Sequence, residues 1–166
     1  MSQPIESVPM EIKGLMLDPS SKTPIILLHD ETQNAYLPIW IGVFEANAIA
    51  LRIEGVEPPR PMTHDLLYTS LELLGAKVER VTISELRENT FYAVISIRGP
   101  AGEHLIDSRP SDAIALALRA GAPIFALRSV LNSAQAADFT SKLTDEEKLK
   151  KWLEEAREED LGEYEM

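Results

Sequence analysis

The chain has 166 residues, of which 45% are hydrophobic and 26% are charged, and it contains no cysteine. The length predicts one compact domain, or one domain plus a tail, and the absence of cysteine excludes disulfides, thiolate metal sites and cysteine nucleophiles. The net charge of −11 argues against a protein that grips nucleic acid by bulk electrostatics, because neutralising phosphates needs clustered lysine and arginine. A small basic site or a metal-bridged phosphate stays open. No apolar run approaches the roughly 20 residues that span a bilayer, and the first residues lack a signal-peptide pattern, which together favour a soluble cytoplasmic protein.

Hydrophobic patterning predicts three strands followed by two helices in the first half of the chain. The strands are expected over Met10–Leu17, Thr23–Leu28 and Ala35–Ile41, with a hairpin turn between the last two. The helices are expected over Val43–Glu54 and Thr63–Leu74, with a proline-rich turn between them and a glycine closing the second.

The second half repeats this order of elements. Strands are expected over Lys77–Leu86, Thr90–Arg98 and His104–Ser108, then a helix over Ser111–Ala120 and a last strand over Pro123–Leu127. The segment Ala48-Ile49-Ala50-Leu51 recurs as Ala113-Ile114-Ala115-Leu116, each time in a helix that follows a strand hairpin. We therefore predict an α+β fold with a mostly antiparallel curled sheet, buried alanine-rich helices and an internal strand–hairpin–helix duplication.

Two features concern assembly and domain limits. Both alanine-rich helices are apolar almost all round, so they are expected to be buried on several sides, inside the sheet or at a subunit interface. This favours a homo-oligomer, with a dimer as the first expectation. Residues 1–135 are predicted to form the domain, and residues 136–166 an acidic C-terminal helix and tail. That tail is either loosely docked and solvated, or it binds a partner or mimics nucleic acid.

Two helix starts share one pattern, namely Arg-Pro, then a hydroxyl residue, then an aspartate in the first turn. They are Arg60-Pro61-Met62-Thr63-His64-Asp65 and Asp107-Ser108-Arg109-Pro110-Ser111-Asp112. Thr63 and Ser111 are expected to cap the helices, and the aspartates suit the positive end of a helix dipole. Local structure therefore accounts for much of the pattern without any function.

The arginines and the histidine are less well explained by helix capping. An arginine beside a helix N-terminus adds a donor fork where backbone N–H groups already favour anions, so Arg60 and Arg109, with Thr63 and Ser111, are candidate phosphate ligands. The alternative is that each arginine is a structural latch to a nearby carboxylate. His64 is a candidate general acid or base, or else an ordinary helix-start histidine. A candidate set of Mg²⁺ or Mn²⁺ ligands is Asp65, Asp107, Asp112 and Glu45.

Other polar and aromatic residues are assigned to structure. His29 and His104 are expected to be solvated or capping. The strand aromatics are expected in the core, since stacking platforms for single-stranded nucleic acid normally accompany a basic groove. They are Trp40, Phe91, Tyr92 and Phe125.

Four blocks of sequence together resemble the bifunctional nuclease (BFN) domain family over roughly residues 8–135. They are Tyr36-Leu37-Pro38-Ile39-Trp40-Ile41-Gly42 with Glu45-Ala46, then Arg60–Leu66, then Thr90-Phe91-Tyr92-Ala93, and finally Asp107–Ala117. The resemblance implies degradation of RNA and DNA, the activity for which the family is named, but it brings no catalytic mechanism with it.

Two hypotheses of function follow. The first is a metal-assisted nuclease or phosphodiesterase in which His64, Asp65, Asp107 and Asp112 are catalytic and the two arginines hold phosphate. The second is a non-enzymatic module, an oligomeric scaffold or an anion-sensing regulator, in which the arginines are latches. A solvent-open cleft joining Arg60, His64, Arg109 and Asp112 would favour the first, and buried, fully paired arginines the second.

Overall fold

A computed structural model describes residues 5–136, which form seven strands and four helices. The strands are β1 (Ser7–Leu17), β2 (Pro24–Asp30), β3 (Ala35–Trp40), β4 (Lys77–Arg87), β5 (Thr90–Gly99), β6 (Gly102–Ser108) and β7 (Ile124–Leu127). The helices are α1 (Val43–Ile53), α2 (Thr63–Leu73), α3 (Pro110–Ala120) and α4 (Arg128–Ala136). No helix in this part of the chain is long and apolar enough to cross a membrane.

The strands form one open sheet in the order β3-β2-β1-β7-β4-β5-β6. All neighbouring pairs are antiparallel except β4 and β7. Strand β1 serves two partners, since Ser7–Met10 pair with β7 whereas the residues from Glu11 onward pair with β2. A register shift between Ile12 and Gly14 lies in the second of these segments, where such a bulge bends the strand. The predicted α+β class with a mostly antiparallel sheet is confirmed.

Two three-stranded meanders flank β7. Strands β1–β3 lie on one side and lead into α1, and strands β4–β6 lie on the other side and lead into α3. This arrangement has the order of elements on which the predicted duplication was based. A duplication of the sequence itself stays a prediction.

Helix α3 lies at the centre of the molecule. It packs on β4 and β5 and is flanked by α1 and α2. The alanines at positions 113, 115 and 117 are at most 1% exposed, and their small side chains let the neighbouring elements approach closely. The expectation of a helix buried on several sides is therefore confirmed for α3. In α1, Ala46, Ala48, Ile49 and Leu51 are buried whereas Val43, Phe44 and Ile53 are exposed, so this helix is buried over part of its surface.

Other details differ from the sequence-based expectation. Helix α4 was not predicted, because its nine residues carry only a short apolar pattern. His29 lies buried in β2 rather than in a turn, stacked on Tyr36 with ring centroids 4.4 Å apart. The strand aromatics are not fully buried, and Trp40 at the end of edge strand β3 is 40% exposed. The predicted acidic helix and tail beyond residue 136 lie outside the described residues.

A buried ion pair joins the β2–β3 hairpin to the start of α4. The Asp30 carboxylate is fully buried, accepts a hydrogen bond from Thr32 Oγ1 at 2.6 Å, and lies 3.1 Å from Arg128 Nη1. Burial by itself raises the pKa of Asp30, but the hydrogen bonds from Thr32 and Arg128 outweigh it and hold the pKa below its ordinary value. Arg128 also reaches Glu6, so one guanidinium fastens the N-terminal segment as well.

Replacing Arg128 by methionine is expected to lower the free energy of unfolding by about 3–5 kcal/mol, because it leaves a buried carboxylate without its cation. Denaturant unfolding at neutral pH measures this loss. A lowered folded-state pKa stabilises the fold above the ordinary aspartate pKa of about 3.9, and this contribution disappears as the pH falls through the folded value. The free energies of unfolding of the wild-type protein and of Arg128→Met should therefore become more alike as the pH falls. Arg87→Met is the control, since Arg87 is exposed and lies 3.9 Å from Glu85; equal losses in both variants would contradict the assignment.

Candidate functional site

The starts of α2 and α3 lie against each other. The His64 ring, only 8% exposed, places Nε2 2.9 Å from Asp112 Oδ1. The two segments with the shared Arg-Pro pattern are thus in direct contact within one chain. This contact joins residues 48 positions apart in sequence.

The two predicted capping residues do not cap. Arg109 and Met62 occupy the N-cap positions, with Thr63 as the first residue of α2 and Ser111 as the second of α3. In α3, Pro110 takes the first helical position, which its fixed φ and missing N–H suit, and this moves Ser111 one residue into the helix. In α2, the Asp65 carboxylate accepts a hydrogen bond from the Met62 N–H at 2.8 Å and supplies the capping interaction instead.

Arg109 connects α3 to α1 at the protein surface. Its Nε donates to Asp112 Oδ2 at 2.8 Å and its Nη2 donates to Glu45 Oε1 at 2.9 Å, while 65% of the side chain stays exposed. Asp112 therefore lies between Arg109 and His64. Burial by itself raises the pKa of Asp112, but hydrogen bonds from Arg109 and His64 outweigh it and keep the pKa below its ordinary value. This carboxylate is ionised at neutral pH.

A second arginine, which the sequence analysis did not single out, is buried between three helices. The Arg119 side chain is 3% exposed and donates through Nε to Asp65 Oδ1 at 2.6 Å. Its remaining nitrogens donate to the backbone carbonyls of Ala115 in α3, at 2.8 Å, and Ala48 in α1, at 3.2 Å. Burial alone raises the pKa of Asp65, but the Met62 N–H and Arg119 outweigh it and lower the pKa. Asp65 is thus part of a structural latch.

The remaining predicted site residues lie apart from this network. Arg60 and Thr63 are exposed, and Arg60 makes no hydrogen bond or ion pair with the described residues. Asp107 is exposed on the edge strand β6.

The predicted metal-binding carboxylates do not come together. Asp65 is held by Arg119, while Asp112 and Glu45 are both held by Arg109. Within residues 5–136 there is no group of three or more histidine, aspartate or glutamate side chains arranged to hold a metal ion. These residues do not fit a preformed metal cage, and Mg²⁺ or Mn²⁺ binding stays a prediction from the sequence.

An open cavity of about 400 Å³ lies beside the start of α3, and we call it the groove. Its walls come from three of the four sequence blocks that carry the family resemblance, together with neighbouring residues. The lining residues are Thr23, Ile39, Trp40, Ile41, Gly42, Asn89, Thr90, Phe91, Arg109, Pro110 and Ser111. Residues from the ends of β3, β5 and α3 thus converge on one surface.

One wall of the groove is suited to an anion. The first N–H groups of a helix have no partner within it, and the first backbone bond at this end of α3 runs from Ala113 N to Arg109 O at 3.1 Å. Ser111 is 5% exposed, and its hydroxyl makes no hydrogen bond with the described part of the chain. Arg109 uses two of its five N–H donors on Asp112 and Glu45. Helix dipole, hydroxyl and guanidinium therefore meet at one place.

Gly42 leaves room for the Glu45 carboxylate at the start of α1. A Cβ on Gly42 would overlap Glu45 Oε2, so a larger residue there would displace this carboxylate from its present position. This position brings Glu45 within reach of Arg109.

The same substitution is expected to have effects of different size at Arg119 of α3 and at Arg109, the N-cap of that helix. Arg119→Met is expected to lower the free energy of unfolding by about 3–5 kcal/mol, because it strands the partly buried Asp65 carboxylate. Arg109→Met should cost less than about 1 kcal/mol, because its ion pairs are at the surface. Denaturant unfolding of both variants measures the difference. A loss at Arg109 as large as that at Arg119 would show that Arg109 is also a latch.

Comparison with known proteins identifies relatives that align with most of this chain. Two Mycobacterium tuberculosis proteins, uncharacterized protein MT1877 of strain CDC 1551 / Oshkosh and uncharacterized protein Rv1829 of strain ATCC 25618 / H37Rv, are each 41% identical to this chain over 138 residues. The alignment covers 83% of this chain and 81% of each relative. The sequence model of the bifunctional nuclease domain matches residues 26–138, a range that contains every block quoted above. The chain belongs to the bifunctional nuclease domain family.

Proposed function

We propose that this protein is a phosphodiester hydrolase of the nuclease type, acting on RNA or DNA, which holds a phosphate of its substrate at the start of α3. The observation that carries the proposal is the anion-suited wall of the groove, where Arg109, Ser111 and the helix N-terminus meet. The family name supports the reaction class.

Each residue of this wall has a defined part in the proposal. Arg109 and the Ser111 hydroxyl donate to phosphate oxygens, and these donors offset the negative charge that grows in the transition state. Asp112 holds the Arg109 guanidinium in place through Nε. His64 contacts Asp112 but does not line the groove. Its proposed role is therefore to orient Asp112 and not to exchange a proton directly with the substrate.

Hydrolysis of a phosphodiester needs a water molecule that loses a proton as it attacks phosphorus. A divalent ion that enters with the substrate needs only one or two carboxylates and would lower the pKa of a bound water. Because Asp65, Asp112 and Glu45 are held by arginines, no step of the proposal depends on that ion. The predicted dependence on Mg²⁺ or Mn²⁺ is tested by measuring cleavage with each ion and in EDTA.

The acidic composition limits how the substrate is held. A groove with one arginine on its walls neutralises few phosphates, so binding should depend weakly on salt, with a slope of log K against log [salt] near −1. Such a site binds a short stretch of strand and does not track along a long one.

The test of function is cleavage of labelled single-stranded RNA and DNA. Arg109→Ala is expected to lower kcat/KM by about 100-fold, the effect of removing one donor to a developing oxyanion. Arg98→Ala is the matched control, because Arg98 is also a surface arginine paired with two carboxylates, Glu79 and Glu103, but lies outside the groove. Equal activity of Arg109→Ala and wild type would overturn the proposal.

A specific observation also favours a non-enzymatic function. Arg109, one of the two arginines that the second hypothesis treats as latches, is already paired with Glu45 and Asp112, although 65% of its side chain is exposed. In that case the same groove senses an anion without cleaving it. Oligonucleotide binding that Arg109→Ala weakens, with no cleavage under any metal condition, would establish this alternative.

We also propose that the protein forms a homodimer through α2. This helix and its C-cap residue expose four leucines, which in water favour contact with another apolar surface; they are Leu66, Leu67, Leu73 and, at the C-cap, Leu74.

Sedimentation velocity tests this interface. The double substitution Leu73→Lys and Leu74→Lys is expected to convert a dimer to a monomer, because it places charges in an apolar contact. Leu105→Lys is the control, since Leu105 is 75% exposed on β6, away from α2. Dissociation by the control alone would place the interface at the sheet edge instead.

A further inference from the structure

The groove has two chemically different parts. Beside the anion-suited wall at Arg109 and Ser111, its lining residues include Trp40, Phe91 and two isoleucines. A site of this kind suits a ligand that combines a flat apolar body with a negative charge.

From these two parts we infer that the groove is a subsite for one unpaired nucleotide, whose base packs against Trp40 and Phe91 while its phosphate lies at the start of α3. This inference rests on the proposed function and adds to it a substrate class, single-stranded nucleic acid. It also gives the partly exposed aromatics a part in recognition.

The size of the groove supports a single nucleotide. Its volume of about 400 Å³ is near the lower end of the roughly 300–1,000 Å³ range of small-ligand pockets. A base inside a duplex is stacked and paired, so it can reach side chains on the wall of a small cavity only when it is unpaired. Stacking on aromatic side chains accepts every base, because each has an apolar face.

Trp40 is already fixed at the edge of the groove. Its indole Nε1–H donates to Asp18 Oδ2 at 2.9 Å, and Asp18 is itself held by the Ser20 hydroxyl at 2.7 Å. A side chain ordered before binding loses less conformational entropy when a ligand arrives. Phe91 is half-buried at the start of β5 and pairs across the sheet with Leu86, so its backbone is fixed by the strand ladder.

The neighbouring residue in β5 provides a matched control. Tyr92 lies on the opposite face of the strand, does not line the groove, and packs under the Arg87 guanidinium with 4.8 Å to the ring centroid. The substitution Tyr92→Ala therefore removes an aromatic ring that neighbours the groove but does not line it.

The experiment compares a short single-stranded DNA with an abasic strand of equal length, which has the same phosphates and no bases. Binding is measured by fluorescence anisotropy in EDTA. The abasic strand is expected to bind about 5- to 150-fold more weakly, the effect of losing one stacked base. Trp40→Ala and Phe91→Ala should each reduce this difference, whereas Trp40→Phe and Tyr92→Ala should preserve it. Circular dichroism and thermal melting check folding; if Trp40→Ala is unfolded, Phe91→Ala and Trp40→Phe decide the result.

The outcomes separate this inference from the proposed function. Equal affinity for the base-containing and abasic strands, with binding still weakened by Arg109→Ala, would overturn the base subsite and leave the phosphate site intact. Duplex DNA that binds as tightly as the single strand would also overturn the subsite. If neither strand binds to the wild-type protein, both the proposed function and the subsite fail.

Discussion

One buried guanidinium holds the three central helices together. Arg119 lies in α3, pairs with Asp65 of α2, and donates to a carbonyl of α1. A buried cation without partners would cost several kcal/mol, so these two contacts fix where α1 and α2 lie against α3. The position of the α3 N-terminus, and with it the anion-suited wall of the groove, depends on this arrangement at the other end of the same helix.

The two similar helix starts therefore have different structural roles. In both, an aspartate in the first helical turn accepts hydrogen bonds that lower its pKa. The difference is in the arginine that each aspartate meets, since Asp65 pairs with buried Arg119 whereas Asp112 pairs with exposed Arg109. Because Arg119 is buried and each of its three nitrogens already donates to the protein, only Arg109 retains accessible donors for a ligand.

Much of the fold follows from local patterns, because strand alternation, helix periodicity and glycine ends depend on neighbours along the chain. The strands and the first three helices were predictable to within a few residues, and Arg109 and Ser111 stood out through their helix start. Arg119 did not, since an arginine in the last turn of an apolar helix is also common at a surface. The groove, and with it the exposure of Trp40, depends on how segments up to about 90 residues apart in sequence pack together. A local sequence pattern carries no information on that packing.

The composite origin of the groove has a thermodynamic consequence. Its walls come from the first meander, the second meander and α3, so an intact groove exists only when all of these parts are assembled. A ligand that binds there is linked to the cooperative unfolding of the whole domain, and at 100 times its Kd it adds about 2.7 kcal/mol to the stability of the native state. Partial opening of either meander releases the ligand. Occupancy and global unfolding are therefore coupled, and a shift in Tm reports ligand binding even when no reaction takes place.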